Sequence, residues 1–189
     1  MSVVLSGVHI EFDGKKVLYN FSANLPDVGV VAVTGESGSG KTTLLRVLAG
    51  LIKPSEGSVL GLGEARAAFV FQEDRLLPWR TVAENIAIPA RCKPEKVKTF
   101  LELTELWGDR NRYPHELSGG MQRRVALARA LCFGGRVLLL DEPFKGLDAK
   151  LRCRITQRMR GLFPLTVIAT HDPGEALSLA NGEPFWIRL

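Results

Sequence analysis

The sequence predicts an α/β fold built around a mostly parallel sheet, and two observations support this prediction. First, four short runs are continuously apolar and rich in Val, Ile, Leu and Phe, which is typical of strands buried on both faces. They are residues 28–35, 67–72, 136–142 and 165–172. Second, helical patterns separate them, at residues 41–49, 81–88, 94–107, 118–133, 149–162 and 173–180. Strands that alternate with helices form parallel sheets.

The first 25 residues follow a different pattern. VVLSGVHIEF (3–12) and KKVLYNFSANL (15–25) alternate apolar and polar residues, which predicts half-exposed antiparallel strands. From about residue 86 to residue 133 the chain contains helical patterns and no strand pattern. We therefore expect a single domain over residues 1–189, with a helical subdomain inserted at about 86–133.

Composition narrows the class of protein. The 189 residues, 46% hydrophobic and 24% charged, have the size and balance of one ordinary globular domain. The apolar stretches are far shorter than the roughly 18 residues that a membrane-spanning helix needs. The first residues lack the features of a signal peptide. We therefore expect a cytosolic protein. Because Cys92, Cys132 and Cys153 show no CxxC spacing, we also expect them to be reduced, packed thiols.

The net charge of +5 suits nucleic acid, an acidic membrane surface or a small polyanion. The most basic segment, KLRCRITQRMR at residues 150–160, has a helical pattern with two faces. The face predicted to pack in the core carries Leu151, Ile155, Met159 and Leu162. The face predicted to be solvated carries Lys150, Arg154 and Arg158. No aromatic side chains lie between these arginines to stack on bases, so no nucleic-acid partner is expected.

Each of the four buried strands is followed by polar residues that can do chemistry. They are a glycine-rich loop after the first strand, Gln72 after the second, Asp141 and Glu142 after the third, and His171 after the fourth. Ligands of open parallel sheets bind at the carboxyl ends of the strands. We therefore predict that the four strand ends form one site.

The glycine-rich loop predicts a phosphate-binding site. Its sequence GESGSGKT fits G-x-x-x-x-G-K-[ST] and lies between a strand and a helix, as that motif requires. Glycines let backbone N–H groups and the helix N-terminus surround phosphate oxygens. Lys41 would contact the β- and γ-phosphates, and the Thr42 hydroxyl would bind Mg²⁺. An accidental match in a flexible turn is the alternative, which this context disfavours.

The other strand ends supply a metal ligand and a base. Asp141 emerges from a buried strand and suits a Mg²⁺ ion that Thr42 also binds. Glu142 could orient or deprotonate an attacking water molecule. Gln72 could touch the metal or its water shell, and His171 could contact the γ-phosphate or hold the water. A solvated glutamine and a packed or surface histidine are the alternatives for the last two.

A second glycine turn, LSGGMQRR at residues 117–124, also precedes a helical pattern. The Ser118 hydroxyl and the backbone N–H groups of Gly119 and Gly120 would form a good receptor for a γ-phosphate. An ordinary helix cap is the alternative. One nucleotide needs only one such turn, so the second turn requires an explanation.

Six motifs in order resemble the ATP-binding cassette (ABC) ATPases over nearly the whole chain. The motifs are GESGSGKTT, Gln72 in FVFQEDRLLPW, LSGG, VLLLDEP, Leu147-Asp148 in DEPFKGLDAKL, and His171 in ATHDPGEAL. Within that family, FQEDRLLPWRTVAENIA and LSGGM look most like ATPase subunits of bacterial importers for nitrate, sulfonates and taurine. The resemblance implies a P-loop NTPase fold, ATP and Mg²⁺ as cofactors, and hydrolysis of ATP.

The resemblance also implies a role for each matching residue. The phosphate loop would comprise Gly35, Glu36, Ser37, Gly38, Ser39, Gly40, Lys41, Thr42 and Thr43. Asp141 would be the magnesium aspartate, Glu142 the catalytic glutamate, His171 the switch histidine and Asp148 a dimer contact. Phe12 would stack on adenine, with an ordinary core phenylalanine as the alternative.

The implied assembly is a head-to-tail homodimer in which Ser118, Gly119 and Gly120 complete the ATP site of the opposite subunit. Separate transmembrane permease subunits would hold the dimer at the inner face of the cell membrane, in a system with an extracytoplasmic solute-binding protein. The loop at residues 76–80 would then dock a permease helix, unless it simply packs in the core. Lys145 departs from the family pattern, which often has a small residue there.

Two other functions compete with transport. A soluble ABC ATPase that acts on nucleic acid or ribosomes would be expected to carry long insertions or paired cassettes, and the chain has neither. A cassette that only binds ATP would have lost catalytic residues, whereas Lys41, Asp141, Glu142 and His171 are all present.

Overall fold

A computed structural model describes residues 3–61 and 67–189 of the chain. Its strands are β1 (Val3–Phe12), β2 (Lys15–Leu25), β3 (Gly29–Thr34), β4 (Glu56–Leu60), β5 (Ala67–Val70), β6 (Val137–Asp141), β7 (Leu165–Ala169) and β8 (Phe185–Arg188). Its α-helices are α1 (Lys41–Leu48), α2 (Val82–Ala90), α3 (Pro94–Leu103), α4 (Gly119–Phe133), α5 (Ala149–Met159) and α6 (Pro173–Leu179). The strands form two sheets, one antiparallel and one parallel, which confirms the predicted fold class.

The antiparallel sheet has the strand order β2-β1-β4. A turn at Asp13 and Gly14 joins β1 to β2, and both turn residues have positive φ angles, 49° and 76°. Glycine adopts this region without steric cost, and aspartate tolerates it better than most residues. The sequence did not predict β4, which is five residues long and largely exposed. Without a buried face, a short strand leaves little periodic signal.

The parallel sheet has the strand order β5-β6-β7-β3-β8, with every neighbouring pair parallel. All residues of β6 and of β7 are buried, as expected for strands covered by helices on both faces. The strands run in the same direction, so their last residues all lie at the carboxyl end of the sheet. These residues are Thr34 of β3, Val70 of β5, Asp141 of β6 and Ala169 of β7. The edge strand β8 was not predicted, because it is only four residues long and exposes three of them.

Hydrophobic layers cover both faces of the parallel sheet, and β6 contributes to both of them. Val137 and Leu139 pack with α1 and the antiparallel sheet. Leu138 and Leu140 pack on the opposite face with residues of α4, α5 and α6. Burying a leucine side chain contributes about 1.5–3 kcal/mol. A third cluster joins α2, α3 and α4 through residues such as Ile86, Leu101 and Val125.

Two helices end earlier than the sequence predicted. The helix predicted for 94–107 ends at Leu103, and Glu105 then has a φ of 57°. The helix predicted for 149–162 ends at Met159, and Gly161 follows with a φ of 71°. Leu162 therefore points away from the core stripe and is 44% exposed. Its predicted place in the core is wrong, whereas Ile155 and Met159 are buried as predicted.

The basic face of α5 is not simply solvated. Arg154 binds both carboxylate oxygens of Glu105, at 2.8 and 2.9 Å. Arg158 donates to the same carboxylate at 3.2 Å and to the Leu103 carbonyl oxygen at 3.0 Å. These bonds fasten α5 to the end of α3 and lower the pKa of Glu105, chiefly through the Arg154 hydrogen bonds.

The cysteines only partly match the prediction of packed thiols. Cys132 is buried and its Sγ lies 2.7 Å from Sγ of Cys92, whereas Cys153 is exposed. Across residues 3–61 and 67–189, none of the helices has both the length and the apolar character needed to span a membrane.

Candidate functional site

The phosphate loop runs from the end of β3 to the start of α1. Its glycines Gly35, Gly38 and Gly40 have φ angles of 154°, 81° and 103°. A Cβ atom at Gly40 would lie 3.1 Å from the Val17 side chain and from its carbonyl oxygen, so a larger residue would strain this path. Gly40 is also the N-cap of α1 and has no side chain to occupy the helix N-terminus. The N-terminal N–H groups of α1 therefore stay available to an anion.

The side chain of Lys41, the first residue of α1, folds back into this loop. Its ammonium group donates to the carbonyl oxygens of Gly35 at 2.9 Å and Glu36 at 2.7 Å, and the residue is only 6% exposed. These two bonds hold the charge at the centre of the loop. An ammonium group has three N–H donors. One donor thus remains for a phosphate oxygen.

Ser39 provides an independent test of whether the loop fits a phosphate. Its Oγ atom is buried and has no hydrogen-bond partner among the described residues. Buried polar atoms almost always have a partner. An unpaired hydroxyl among the turns of this loop therefore fits a loop that binds a polar ligand.

Asp141 and Thr42 meet where β6 ends beside α1. Thr42 and Asp141 line the same cavity, and Asp141 is 3% exposed. Burial raises the pKa of Asp141, while the nearby Thr42 hydroxyl offsets part of that shift. A buried carboxylate beside a hydroxyl favours a bound cation, because the cation compensates for the lost solvation of the charge. Both groups present the oxygen ligands that Mg²⁺ prefers.

Glu142 follows Asp141 with a strained φ of 46°. Its backbone N–H donates to the Ala169 carbonyl oxygen at 2.9 Å, which fixes the turn against the end of β7. One carboxylate oxygen lies 3.4 Å from Nε2 of His171, and the other lies 3.9 Å from Nζ of Lys145. The carboxylate is 23% exposed, so water can reach a base that two basic side chains surround.

The predicted strand-end residues line one cavity of about 260 Å³. Its lining comprises Val17, Ser37, Gly38, Gly40, Lys41, Thr42, Thr43, Gln72, Asp141, Glu142 and His171. The structure thus brings together the ends of β3, β5, β6 and β7. A somewhat larger cavity of about 350 Å³, beside Gly29, Met159 and Phe163, lies at the other end of the sheet and contains none of these side chains.

Seven predicted site residues lie outside that cavity. Three of them, Gly35, Glu36 and Ser39, belong to the phosphate loop and line a neighbouring cavity that His171 also lines. Phe12 ends β1 and is 46% exposed, so it is not the core phenylalanine considered as an alternative. Ser118 and Gly119 are exposed, and Gly120 is half-buried, at the start of α4. The Ser118 hydroxyl accepts the Met121 N–H at 3.3 Å and so caps the helix.

The turn before α4 is held in place from two sides. The Gln122 side chain donates to the carbonyl oxygens of Pro114 at 2.9 Å and Leu117 at 3.3 Å. A Cβ atom at Gly120 would lie 3.1 Å from the carbonyl oxygen of Gly146, in the loop just before Asp148. Asp148 itself caps α5 by accepting the Leu151 N–H at 2.9 Å. The glycine turn and the Asp148 turn are therefore direct neighbours.

Sequence reasoning missed Arg123, a buried residue of α4 that contacts the strand ends beneath the cavity. A signal for it exists in the sequence. Arg123 precedes Leu127 and Leu131 at spacings of four residues, so it lies on the stripe of α4 that faces the core. A charged residue on such a stripe needs buried partners.

Comparison with known proteins agrees with this geometry. The family described as "ABC transporter" matches residues 18–145, which is more than half of the chain. The chain belongs to the ABC transporter family. Its cofactors are therefore ATP and Mg²⁺, as is normal for cassettes of this family.

The ABC cassette is similar in sequence to sulfate/thiosulfate import ATP-binding proteins named CysA. It is 41% identical to the one from Vibrio vulnificus, over 96% of this chain and 59% of that protein. It is 40% identical to the one from Synechocystis, over 96% of this chain and 57% of that protein. The chain thus spans a little over half the length of these relatives. They are importer proteins, but they are not of the nitrate, sulfonate or taurine type that the sequence motifs suggested.

The fold is also that of solved ABC cassettes. The dimeric structure of MJ0796, described as a bacterial ABC transporter cassette, superposes with a TM-score of 0.86 at 29% identity, over 98% of this chain and 94% of that one. A structure of MJ0796 in a post-hydrolysis state, bound to ADP and Pi, gives a TM-score of 0.83 at 31% identity, over 93% and 90% of the two chains.

Proposed function

We propose that this ABC cassette hydrolyses ATP. The observation that carries the proposal is the convergence of Lys41, Thr42, Asp141, Glu142 and His171 on one cavity of about 260 Å³. A cation for phosphates, oxygen ligands for a metal and a carboxylate base are the groups that phosphoryl transfer to water requires. The similarity to MJ0796, which was solved with ADP and Pi, supports the same reaction.

Each residue has a separate task in this reaction. Lys41 and the N–H groups of the phosphate loop bind and orient the β- and γ-phosphates. Thr42, Asp141 and Gln72 would hold Mg²⁺, which stabilises negative charge on the transferred phosphoryl group when it is bound. Glu142 accepts a proton from the attacking water. His171, 3.4 Å from Glu142, keeps that carboxylate directed at the water.

The second glycine turn supports a dimeric assembly. In the proposed head-to-tail homodimer, Ser118, Gly119 and Gly120 bind the γ-phosphate held by the opposite cassette. Their exposure at the start of α4 leaves them accessible to a partner. Asp148 would contact the partner beside this turn, and Phe12, exposed at the end of β1, would stack on adenine. Both MJ0796 structures are dimeric.

A transport role is proposed from the loop between β5 and α2. Trp79 in this loop is 70% exposed, which argues against simple core packing, whereas Leu76 packs with α2 and α4. The Asn85 side chain fixes the loop through two hydrogen bonds. Its Oδ1 atom accepts the Leu77 N–H at 2.7 Å, and its Nδ2 atom donates to the Leu77 carbonyl oxygen at 3.1 Å. A rigid loop with an exposed tryptophan, next to Gln72, suits docking of a permease helix.

In this proposal the chain is a single nucleotide-binding domain over residues 1–189, and α2, α3 and α4 form the helical subdomain at about 86–133. The dimer works in the cytoplasm at the inner face of the cell membrane, bound to permease subunits of an importer with an extracytoplasmic solute-binding protein. A small oxyanion such as nitrate, sulfate or a sulfonate is the proposed class of solute. The soluble alternative, action on nucleic acid or ribosomes, loses support because Arg154 and Arg158 on the basic face of α5 are both paired with Glu105.

Glu142→Gln tests the catalytic proposal. The amide has the shape of the carboxylate but cannot accept the proton, so steady-state phosphate release should fall by about 10²-fold or more. Binding of a fluorescent ATP analogue should stay within about twofold, because Glu142 does not bind the phosphates. Glu183→Gln, at an exposed position remote from the cavity, is the matched control. Unchanged hydrolysis in Glu142→Gln would refute the assignment.

A further inference from the structure

Arg123 lies on α4, five residues after Ser118, and its side chain is only 4% exposed. Its guanidinium group points away from the exposed turn and toward the ends of β5 and β6. A buried charge is costly unless polar partners surround it. The hydrogen-bond partners of Arg123 therefore explain how the fold accommodates this buried charge.

The guanidinium group donates to five backbone carbonyl oxygens and to one carboxylate. The acceptors are Pro143 O (3.1 Å) for Nε; Phe71 O (2.5 Å), Gln72 O (3.4 Å) and Asp74 Oδ1 (3.0 Å) for Nη1; and Asp141 O (2.5 Å) and Glu142 O (2.7 Å) for Nη2. All three of its nitrogen atoms are used. Among these acceptors, Asp74 provides the only negative charge.

These acceptors belong to two segments that are far apart in sequence but meet at the candidate site. One segment carries Gln72, and the other carries Asp141 and Glu142. The backbone of both segments is therefore fastened to one planar group. Because the planar fork of arginine has fixed donor directions, it fixes relative positions in a way that a lysine cannot.

We propose that Arg123 is a positioning residue that holds Gln72, Asp141 and Glu142 in one arrangement and links that arrangement to the helix that carries Ser118. The inference rests on the proposed function. Arg123 is not among the residues that line the cavity; it sets where the metal-side oxygen atoms lie.

Arg123→Lys separates this role from a general contribution to folding. Lysine keeps the positive charge but has three donors on one nitrogen atom, so several of the six acceptors lose their bonds. The phosphate loop is not touched. We therefore expect ATP affinity in EDTA to stay within about twofold, while the gain in ATP affinity on adding Mg²⁺ falls by about tenfold or more.

Arg129→Lys is the matched control. Arg129 lies on the same helix and donates to the carbonyl oxygens of Asp74 at 2.6 Å and Arg75 at 2.8 Å, with no bond to Asp141 or Glu142. It thus fastens the same loop without linking it to β6. Arg129→Lys should keep the Mg²⁺ gain of the original chain.

The measurement is a titration of single chains with a fluorescent ATP analogue, in EDTA and in Mg²⁺, with a thermal melt of each variant. A normal Mg²⁺ gain in folded Arg123→Lys overturns the inference, and so does an equal loss in Arg129→Lys. If Arg123→Lys does not fold, Asp74→Ala replaces it, because it removes the carboxylate that accepts from Nη1 of Arg123. It should reduce the gain in the same direction, and no reduction overturns the inference. If the unaltered chain binds no ATP, the proposed function itself fails, which is a distinguishable result.

Discussion

Nε2 of His171 lies 3.4 Å from a carboxylate oxygen of Glu142, although the two residues follow different strands. Asp141 pairs with Ala169 at the ends of β6 and β7, and the Glu142 N–H donates to the Ala169 carbonyl oxygen. The register of the parallel sheet therefore sets the distance between the two side chains. A base held in this way loses little freedom when it acts, which favours catalysis.

Replacing His171 tests this relationship. In His171→Ala, Glu142 keeps its charge but loses the group that orients it, so phosphate release should fall by about 10²-fold. ATP affinity should change by less than about threefold, because Lys41 and the phosphate loop are intact. His9→Ala, on β1 and outside the cavity, should retain full activity. Equal rates for His171→Ala and the unaltered chain would show that the contact has no catalytic role.

The buried Asp141 carboxylate should lower the stability of the metal-free chain while it provides a ligand for Mg²⁺. Burial raises the pKa of Asp141, so the folded state binds its proton more tightly than the unfolded state does. Its contribution to the free energy of unfolding therefore decreases as the pH rises from the ordinary carboxyl range through that raised pKa. At neutral pH, Asp141→Asn should melt higher than the original chain, by about 2–4 °C for each kcal/mol relieved.

Adding Mg²⁺ and ATP should reverse this order, because a ligand that binds only the folded chain stabilises it by mass action. Thermal melts at pH 7, with and without Mg²⁺ and ATP, make the comparison. Glu183→Gln, at an exposed position outside the cavity, is the control. A lower melting temperature for Asp141→Asn without ligand would contradict the cause assigned to the pKa shift.

The sequence predicted those parts of the site in which neighbouring residues supply both the reactive groups and the backbone conformation. In the phosphate loop, Gly35, Gly38 and Gly40 supply the positive φ angles, and Lys41 supplies the charge. The strand-end residues were found because buried strands have a strong apolar signal. Arg123 was missed because its partners lie up to 52 residues away, and only the folded chain brings them together.

The same limit applied to the fold: the sequence predicted the strands with a clear apolar pattern and missed those without one. Strands β6 and β7 bury all of their residues, and β3 and β5 bury half of theirs. In contrast, β4 and β8 are short and exposed, so their sequences carry little periodicity. Leu162 has the spacing of a core residue, but Gly161 has a positive φ and α5 has already ended at Met159. A local backbone preference thus overruled the apolar pattern at this position.

Cys132 gives a prediction that is independent of the nucleotide. Burial, together with the neighbouring Cys92 thiol, raises the pKa of Cys132 to about 12. At pH 8 few molecules would then carry the reactive thiolate. Iodoacetamide should modify the exposed Cys153 first and leave Cys132 unmodified until the chain unfolds, as measured by peptide mass spectrometry. Labelling of Cys132 at the rate of Cys153 in the folded chain would contradict this environment.

Ser118 decides whether the second glycine turn serves its own chain or a partner. The turn lies outside the cavity and the Ser118 hydroxyl already caps α4, so ATP binding by a single chain should not depend on it. Ser118→Arg adds a long charged side chain to an exposed surface, which the single chain tolerates and a partner packed against the turn does not. Analogue binding should stay within about twofold, and hydrolysis should fall by about 10²-fold, because the helix N-terminus no longer reaches the opposite γ-phosphate.

The dimer itself is measured by light scattering with ATP in a Glu142→Gln background, where slow hydrolysis preserves the bound nucleotide. There Ser118→Arg should remain a monomer, while the chain with Ser118 intact should double in mass. Ser58→Arg places the same substitution at an exposed serine on β4, away from the cavity, and should still dimerise. If Ser118→Arg loses ATP binding as a monomer, the turn serves its own site. If it dimerises and hydrolyses ATP normally, the turn is only a helix cap.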